Sequence, residues 1–163
     1  MCRIFDNNRG LSLIELVVTM VILSILGALI LPSAQMTSKR VKEIELKRNL
    51  REIRTALDDY KKNYDKAVEE KKIVPVMNKT GYPEDLQVLI DGYDFGGLTD
   101  YKMKFLRRVP PDPFFPVTGD EPAWGMRSYT DQQDSSSWGG EDVFDVYSQS
   151  DGTAIDGTKY KDW

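Results

Sequence analysis

Hydrophobic residues dominate one stretch near the start of the chain. From Leu11 to Leu31 nearly every residue is apolar, and the single ionisable side chain in the stretch is Glu15. A helix rises about 1.5 Å per residue, so these residues would span roughly 30 Å, the thickness of the hydrocarbon core of a bilayer. An isolated carboxylate in hydrocarbon is energetically costly. The pattern therefore predicts a transmembrane helix in which Glu15 has a function.

A second hydrophobic pattern follows Pro32. Proline removes one backbone donor, and we expect it to kink the helix rather than end it. Apolar residues then recur at spacings of three and four, at Leu46, Leu50, Ile53, Leu57, Tyr60 and Tyr64. This spacing predicts an amphipathic helix whose apolar face packs on its own domain. We therefore expect one long kinked helix over 11–66, transmembrane over 11–31 and amphipathic over 32–66.

Charged residues fill the positions around this apolar stripe. They are Lys39, Arg40, Lys42, Glu43, Glu45, Lys47, Arg48, Arg51, Glu52 and Arg54. We interpret the whole run as a solvated helix face. The stripe itself could be a coiled-coil seam, but it lasts for fewer than about three heptads, so a core-facing role is favoured.

The rest of the chain, 67–163, has the pattern of a small α+β domain. Pro83 suits the first turn of a helix, and aromatic and β-branched residues mark two later stretches as strands. The expected elements are short helices over about 83–91 and 101–108 and strands over about 126–130 and 143–148. The fold class is thus α+β, with the long N-terminal helix packed on a small antiparallel sheet.

Composition excludes several classes of chemistry. The chain has 163 residues, a net charge of −4, no histidine and a single cysteine, Cys2. Catalysis by Cys/His or Ser/His/Asp and zinc binding by His or Cys are therefore excluded. Paired carboxylates of the glycosidase kind have no recognisable pocket context here. Residues 109–163 carry eleven acidic and three basic side chains, which argues against nucleic-acid binding.

The start of the apolar stretch has a specific motif, Gly10-Leu11-Ser12-Leu13-Ile14-Glu15-Leu16. It resembles the processing site of type IV pilins and of the pseudopilins of type II secretion systems. The resemblance implies that a prepilin peptidase removes the leader 1–10 by cutting between Gly10 and Leu11. It also implies that the new N-terminus, Leu11, is N-methylated, although phenylalanine is usual there, and that Glu15 is the fifth mature residue.

Three further motifs follow in order along the domain. They are Gly81-Tyr82-Pro83, the Arg-Arg-Val-Pro-Pro-Asp-Pro run at 107–113, and the Asp-Val-Tyr-Ser-Gln-Ser-Asp-Gly run at 145–152. Together they resemble the globular part of the major pseudopilin, the G subunit, of type II secretion, although its Trp-Gly-Asn-Pro-Tyr run is missing. The resemblance implies a calcium site in the C-terminal loop, with Asp151, Asp156 and Ser148 as candidate ligands. An ordinary Asp-Gly turn is the alternative.

The resemblance implies a structural filament subunit and not an enzyme. Within the filament, the carboxylate of Glu15 would meet the N-terminal amine of a neighbouring subunit. The expected partners are other copies of the chain, minor pseudopilins, the inner-membrane assembly platform, prepilin peptidase and the lipid bilayer. The protein would be single-pass in the bacterial inner membrane with its C-terminal domain in the periplasm. The charge distribution indicates the opposite orientation, because two basic residues precede the apolar stretch and five follow it between 39 and 48.

Two other interpretations stay open. A type IV pilin for adhesion, motility or DNA uptake would share the processing motif, but many such pilins close their C-terminal region with a disulfide, for which Cys2 alone is insufficient. A membrane-anchored enzyme or binding domain would leave Gly10 and Glu15 unexplained. A secretory signal peptide fits less well, since it is cut after its apolar run and not before it.

Overall fold

The computed structural model describes residues 10, 12–76, 79–116 and 124–163, and of residues 29–34 the backbone alone. Leu11 and the leader before Gly10 therefore lie outside the described residues. The chain divides into two compact units, residues 1–40 and residues 41–163. The elements in chain order are helix α1 at Leu13–Glu69, helix α2 at Gln87–Asp91, strand β1 at Gly125–Arg127, strand β2 at Asp145–Tyr147 and a 3-10 helix at Tyr160–Asp162.

Ser12 fixes the start of α1. Its hydroxyl oxygen accepts a hydrogen bond from the N–H of Glu15 at 3.3 Å, and its carbonyl accepts one from the N–H of Leu16 at 3.1 Å. A serine followed three residues later by glutamate has the spacing of a helix capping box. The helix therefore begins where the apolar stretch begins.

Between Leu13 and Leu26, the helix of the first unit exposes a largely apolar surface. Large apolar side chains between Leu13 and Leu26 are 45–81 % exposed. Thr19 and Ser24 satisfy their hydroxyls on carbonyls of their own helix, at 2.9 and 2.8 Å. Among the described residues, no helix combines the length and the apolar content that a membrane span requires. The helix continues through position 32 as predicted, whereas the kink stays a prediction.

In the second unit the predicted apolar stripe forms the core. Leu46, Ile53 and Leu57 are fully buried and Leu50 is 2 % exposed, so the prediction of a core-facing stripe is confirmed. The side chains that complete the core come from every later part of the unit: Leu89, Phe95, Leu106, Trp124, Val143, Val146 and Tyr160. Each fully buried residue of this size stabilises the fold by about 1.5–3 kcal/mol.

The two strands form an antiparallel pair in which Met126 lies opposite Val146. Both strands are shorter than the sequence pattern predicts. After β1, the N–H of Ser128 bonds the carboxylate of Asp131 at 2.7 Å, and the N–H of Tyr129 bonds that of Asp142 at 2.9 Å. These acids replace the strand partners, and so the ladder ends.

One predicted helix is shortened and another is absent. Helix α2 begins at Gln87 and not at Pro83, because the carbonyl of Pro83 accepts the N–H of Val143 instead of starting a helical turn. The helix predicted over 101–108 is wrong. Met103 there pairs with Tyr93 in an isolated bridge, with both N–H···O distances at 3.0 Å.

The N–H groups of Phe105 and Leu106 also stay outside any helix. Both donate to the carbonyl of Leu89, at 2.9 and 3.0 Å, and so satisfy an acceptor near the end of α2. These corrections concern short elements. The α+β class, with a long N-terminal helix packed with a small antiparallel sheet, is confirmed.

Candidate functional site

Glu15 lies in the first turn of α1 with its side chain available. The backbone N–H of the residue is taken by Ser12, whereas its carboxylate has no hydrogen bond or ion pair to any described residue. A carboxylate in the first helical turn is stabilised by the helix dipole, but only partly. On this apolar, exposed helix, Glu15 is thus an acid without a partner among the residues that the structure describes.

Gly10 is not required by packing. A Cβ atom placed on it would meet nothing within 4 Å among the described atoms, and its φ is not in the left-handed region. A glycine without a structural reason in the fold is consistent with recognition by another protein. Among the described residues, packing therefore places no demand on Gly10, and its role in processing stays a prediction.

Asp156 stabilises the tip of a hairpin at 152–160. Its carboxylate oxygen accepts the hydroxyl of Thr158 at 2.6 Å and the N–H of the same residue at 3.0 Å. These two hydrogen bonds, the hydroxyl first, hold the pKa of Asp156 below its ordinary value. Thr153 and Lys159 form the bridge at the base of the hairpin. Asp156 is thereby engaged with its own turn.

The other two candidate calcium ligands have different surroundings. Ser148 is fully buried, and its hydroxyl donates to Asp112 at 2.5 Å. Its hydrogen-bonding capacity is thus used inside the second compact unit, residues 41–163, which we call the head. Asp151 is exposed and makes no hydrogen bond with the described residues. In the described ranges, no group of three or more Asp, Glu, His or Cys side chains could hold a metal ion. Ser148 and Asp156 thus have partners within their own unit, whereas Asp151 faces solvent, and the calcium site stays a prediction.

Glu43 corrects the interpretation of the charged run as wholly solvated. It is 9 % exposed, and its Oε1 accepts the N–H of Ile155 at 2.8 Å and the hydroxyl of Tyr160 at 3.0 Å. Burial, followed by this hydrogen bond and the charge of Glu43, raises the pKa of Tyr160 to about 12. The signal was present in the sequence, because Glu43 stands three residues before Leu46 and so lies on the apolar face of the helix.

Arg54 is the second correction to that interpretation. Its guanidinium donates to the carboxylate of Asp145 at 2.7 Å, to the carbonyl of Val146 at 3.0 Å and to the carbonyl of Trp163 at 2.6 Å. One side chain of α1 therefore contacts both β2 and the last residue of the sequence. Lys47 adds a cation–π contact, with its Nζ 4.0 Å from the centre of the Trp163 ring.

Together, Glu43 and Arg54 attach the C-terminal segment 145–163 to α1. Neither was singled out by the motifs, since their partners are 91 to 117 residues away. We call these hydrogen bonds of Glu43 and Arg54 to the C-terminal segment the polar closure of the head.

Residues 6–31 match the family described as the prokaryotic N-terminal methylation motif. The match includes Gly10, Leu11 and Glu15 and ends at Leu31, where the apolar stretch ends. It supports a type IV pilin-like protein with a leader that is processed. A search of curated proteins and a search of solved structures returned no match.

Proposed function

We propose that this chain is a filament subunit of the type IV pilin class, and specifically a pseudopilin of a type II secretion system. The observation that carries the proposal is the N-terminal methylation motif on an exposed apolar helix whose Glu15 has no partner among the described residues. The role is structural. Assembly, and not a chemical reaction, is what these residues can perform.

The proposed mechanism begins with cleavage after Gly10, which creates a new amine at Leu11. Before assembly, the processed subunit is a single-pass protein of the inner membrane, with its head in the periplasm. Entry into the filament brings the Glu15 carboxylate to the amine of a neighbouring subunit. Pairing offsets the desolvation that either charge would suffer alone in an apolar surrounding. The exposed apolar side chains of α1 are buried against other helices in the same step.

Prepilin peptidase, minor pseudopilins and the inner-membrane assembly platform are the further proposed partners. The pseudopilin is preferred to a pilin because the sequence has no cysteine after Cys2. Glu43 and Arg54 instead close the C-terminal segment without a disulfide. Deleting the gene in its own bacterium tests this choice. Loss of exported proteins from the medium with pilus-dependent motility intact supports the pseudopilin, and the reverse pattern supports an adhesion, motility or DNA-uptake pilin.

Replacing Gly10 with alanine should block removal of the leader. The peptidase must accept the residue before the cut, whereas the described fold places no demand on it. N-terminal sequencing and a gel shift of membrane-extracted protein measure the outcome. The variant should retain Met1, and the parent chain should begin at Leu11. A Ser33→Ala chain, changed beyond the cleavage site, is the control and should be processed normally. Normal cleavage of the Gly10 variant would refute this account.

We also propose, from the family resemblance, that the loop with Asp151 and Asp156 binds calcium, with backbone carbonyls completing the shell. A soluble fragment from about Ser38 onward should then melt several degrees higher with calcium than with chelator. Native-state binding at 100 times Kd adds about 2.7 kcal/mol. Asp151→Ala should remove most of the gain, and Asp134→Ala in the preceding loop should not. Identical melting curves with calcium and with chelator would contradict the calcium site, and residues 151 and 152 would then be an ordinary Asp-Gly turn.

A further inference from the structure

Four tyrosines line a cavity of about 430 Å³ in the head. Their rings belong to Tyr60, Tyr64, Tyr82 and Tyr93, and the ring centres of Tyr60 and Tyr93 are 5.5 Å apart. Gly81 lets the wall close, because it has φ +87° and a Cβ there would lie 2.5 Å from the Tyr64 ring. Burial raises the pKa of Tyr60 and of Tyr82 above the ordinary value of a tyrosine. We call this site the tyrosine cavity.

The tyrosine cavity is also acidic. Glu84, Glu141 and Asp142 line it, and the one basic side chain among the described lining residues is Lys79, which is paired with Glu84. Asp142 is buried and accepts the hydroxyl of Thr80, whereas Glu141 is exposed and has no ion pair within the described part of the chain. Aromatic faces beside carboxylates attract a cation, and they attract a planar guanidinium in particular.

A groove with the opposite charge lies on the same compact unit. Arg48, Arg51, Arg107 and Arg108 line it, all four are exposed, and none is in an ion pair with an acid of the described residues. Two acids also line the groove, so its lining keeps a net positive charge. Its α1 positions around 48–55 lie on a different side of the helix from positions 60 and 64, given 3.6 residues per turn. We call this site the arginine groove.

We propose that the tyrosine cavity of one copy of this chain receives an arginine from the arginine groove of the next copy. The inference rests on the proposed filament function and names the contact between heads. The two surfaces are different patches of one subunit, so the contact is heterologous. Repeated heterologous contacts build an open filament when the rotation between copies does not close a ring. The four arginines and Glu141, which have no ion pair with any described residue, supply the charge complementarity.

Cross-linking of the full chain in its own bacterium tests the contact. The pair Arg51→Cys and Glu141→Cys, placed in one chain that also carries Cys2→Ser, should give a ladder of dimers, trimers and longer products with a short bismaleimide. Each single-cysteine chain should give dimers at most. A parent chain that forms filaments, combined with a double-cysteine chain that forms filaments without a ladder, would refute the contact and leave the filament function standing. A parent chain that forms no filaments refutes both.

Charge reversal gives an independent readout. Glu84→Lys with Glu141→Lys, or Arg48→Glu with Arg51→Glu, should each reduce filament mass by about tenfold, because like charges then meet. The chain with all four changes should recover to within about threefold of the parent, because the attraction is restored in reverse. Lys102→Glu, an exposed change outside both sites, is the control and should assemble normally. The proposed copy-to-copy contact is wrong if the chain with all four changes forms no more filament than either pair alone. It is also wrong if either charge-reversed pair forms filaments normally, even where that pair reduces secretion.

Discussion

Replacing Glu15 with alanine should leave a processed subunit in the membrane that assembles into few or no filaments. The carboxylate has no partner among the described residues, so its loss removes nothing that the head depends on. In the proposed filament it neutralises an amine in an apolar surrounding. Removing one partner of a buried charge pair costs about 3–5 kcal/mol. A loss of that size lowers the equilibrium constant for adding a subunit to the filament by about a hundredfold or more. Filaments counted by electron microscopy, against subunit in the membrane fraction, measure the effect.

Two comparisons make the Glu15 result specific. Thr19→Ala alters a polar residue of the same helix that bonds its own backbone, and it should assemble normally. The head of the Glu15 variant should melt at the parent temperature, because the residue belongs to the other compact unit. Normal filaments and normal secretion from the Glu15→Ala chain would show that the charge-pairing account is wrong.

Replacing Glu43 with alanine should lower the free energy of unfolding of the head by about 3 kcal/mol. One buried and one partly buried hydrogen bond to a charged acceptor are lost, and hydrogen bonds to charged groups are worth about 1.5–3 kcal/mol each. The N–H of Ile155 and the hydroxyl of Tyr160 then lose their acceptor in the closed head. For a unit of this size the melting temperature should fall by about 10 °C. Calorimetry and urea titration of the soluble head give both quantities.

Neighbouring substitutions separate the hydrogen bonds from helix propensity. Glu45→Ala changes the same residue type two positions away, outside the core, and should shift stability by less than about 0.5 kcal/mol. Glu43→Gln keeps an acceptor without the charge and should lie between the alanine variant and the parent. If Glu43→Ala melts with the parent, the closure of the C-terminal segment rests on apolar packing alone.

The long helix and its core face could be predicted because their information is local. Leu46, Leu50, Ile53 and Leu57 repeat at helical spacing, and burial follows the repeat directly. The methylation motif was accessible for the same reason, since Gly10 and Glu15 are separated by only a few residues. These stretches need no knowledge of what the rest of the chain contacts.

The short elements and the polar closure depended on distant partners. Pro83 looked like a helix start, but its carbonyl is taken by Val143, sixty residues later. The pattern at 101–108 suited a helix as well as it suited the irregular backbone that follows Met103. In the sequence Glu43 is one charge in a run that is typical of a solvated helix face, whereas in the structure it accepts hydrogen bonds from Ile155 and Tyr160. Periodicity within a window carries no information about such contacts.

The contact between Glu43 and Tyr160 also sets the order in which the head can fold. The two residues are 117 positions apart, and the apolar stripe of α1 is completed by side chains from the same late segment. At about 5–20 residues per second, synthesis of that interval takes roughly 6–23 s. Until then the apolar stripe of α1 cannot pack against the later residues of the core. Contacts between residues so far apart in sequence are also slow to form. We therefore expect the nascent head to lack its complete core until the residues around Tyr160 have been synthesised.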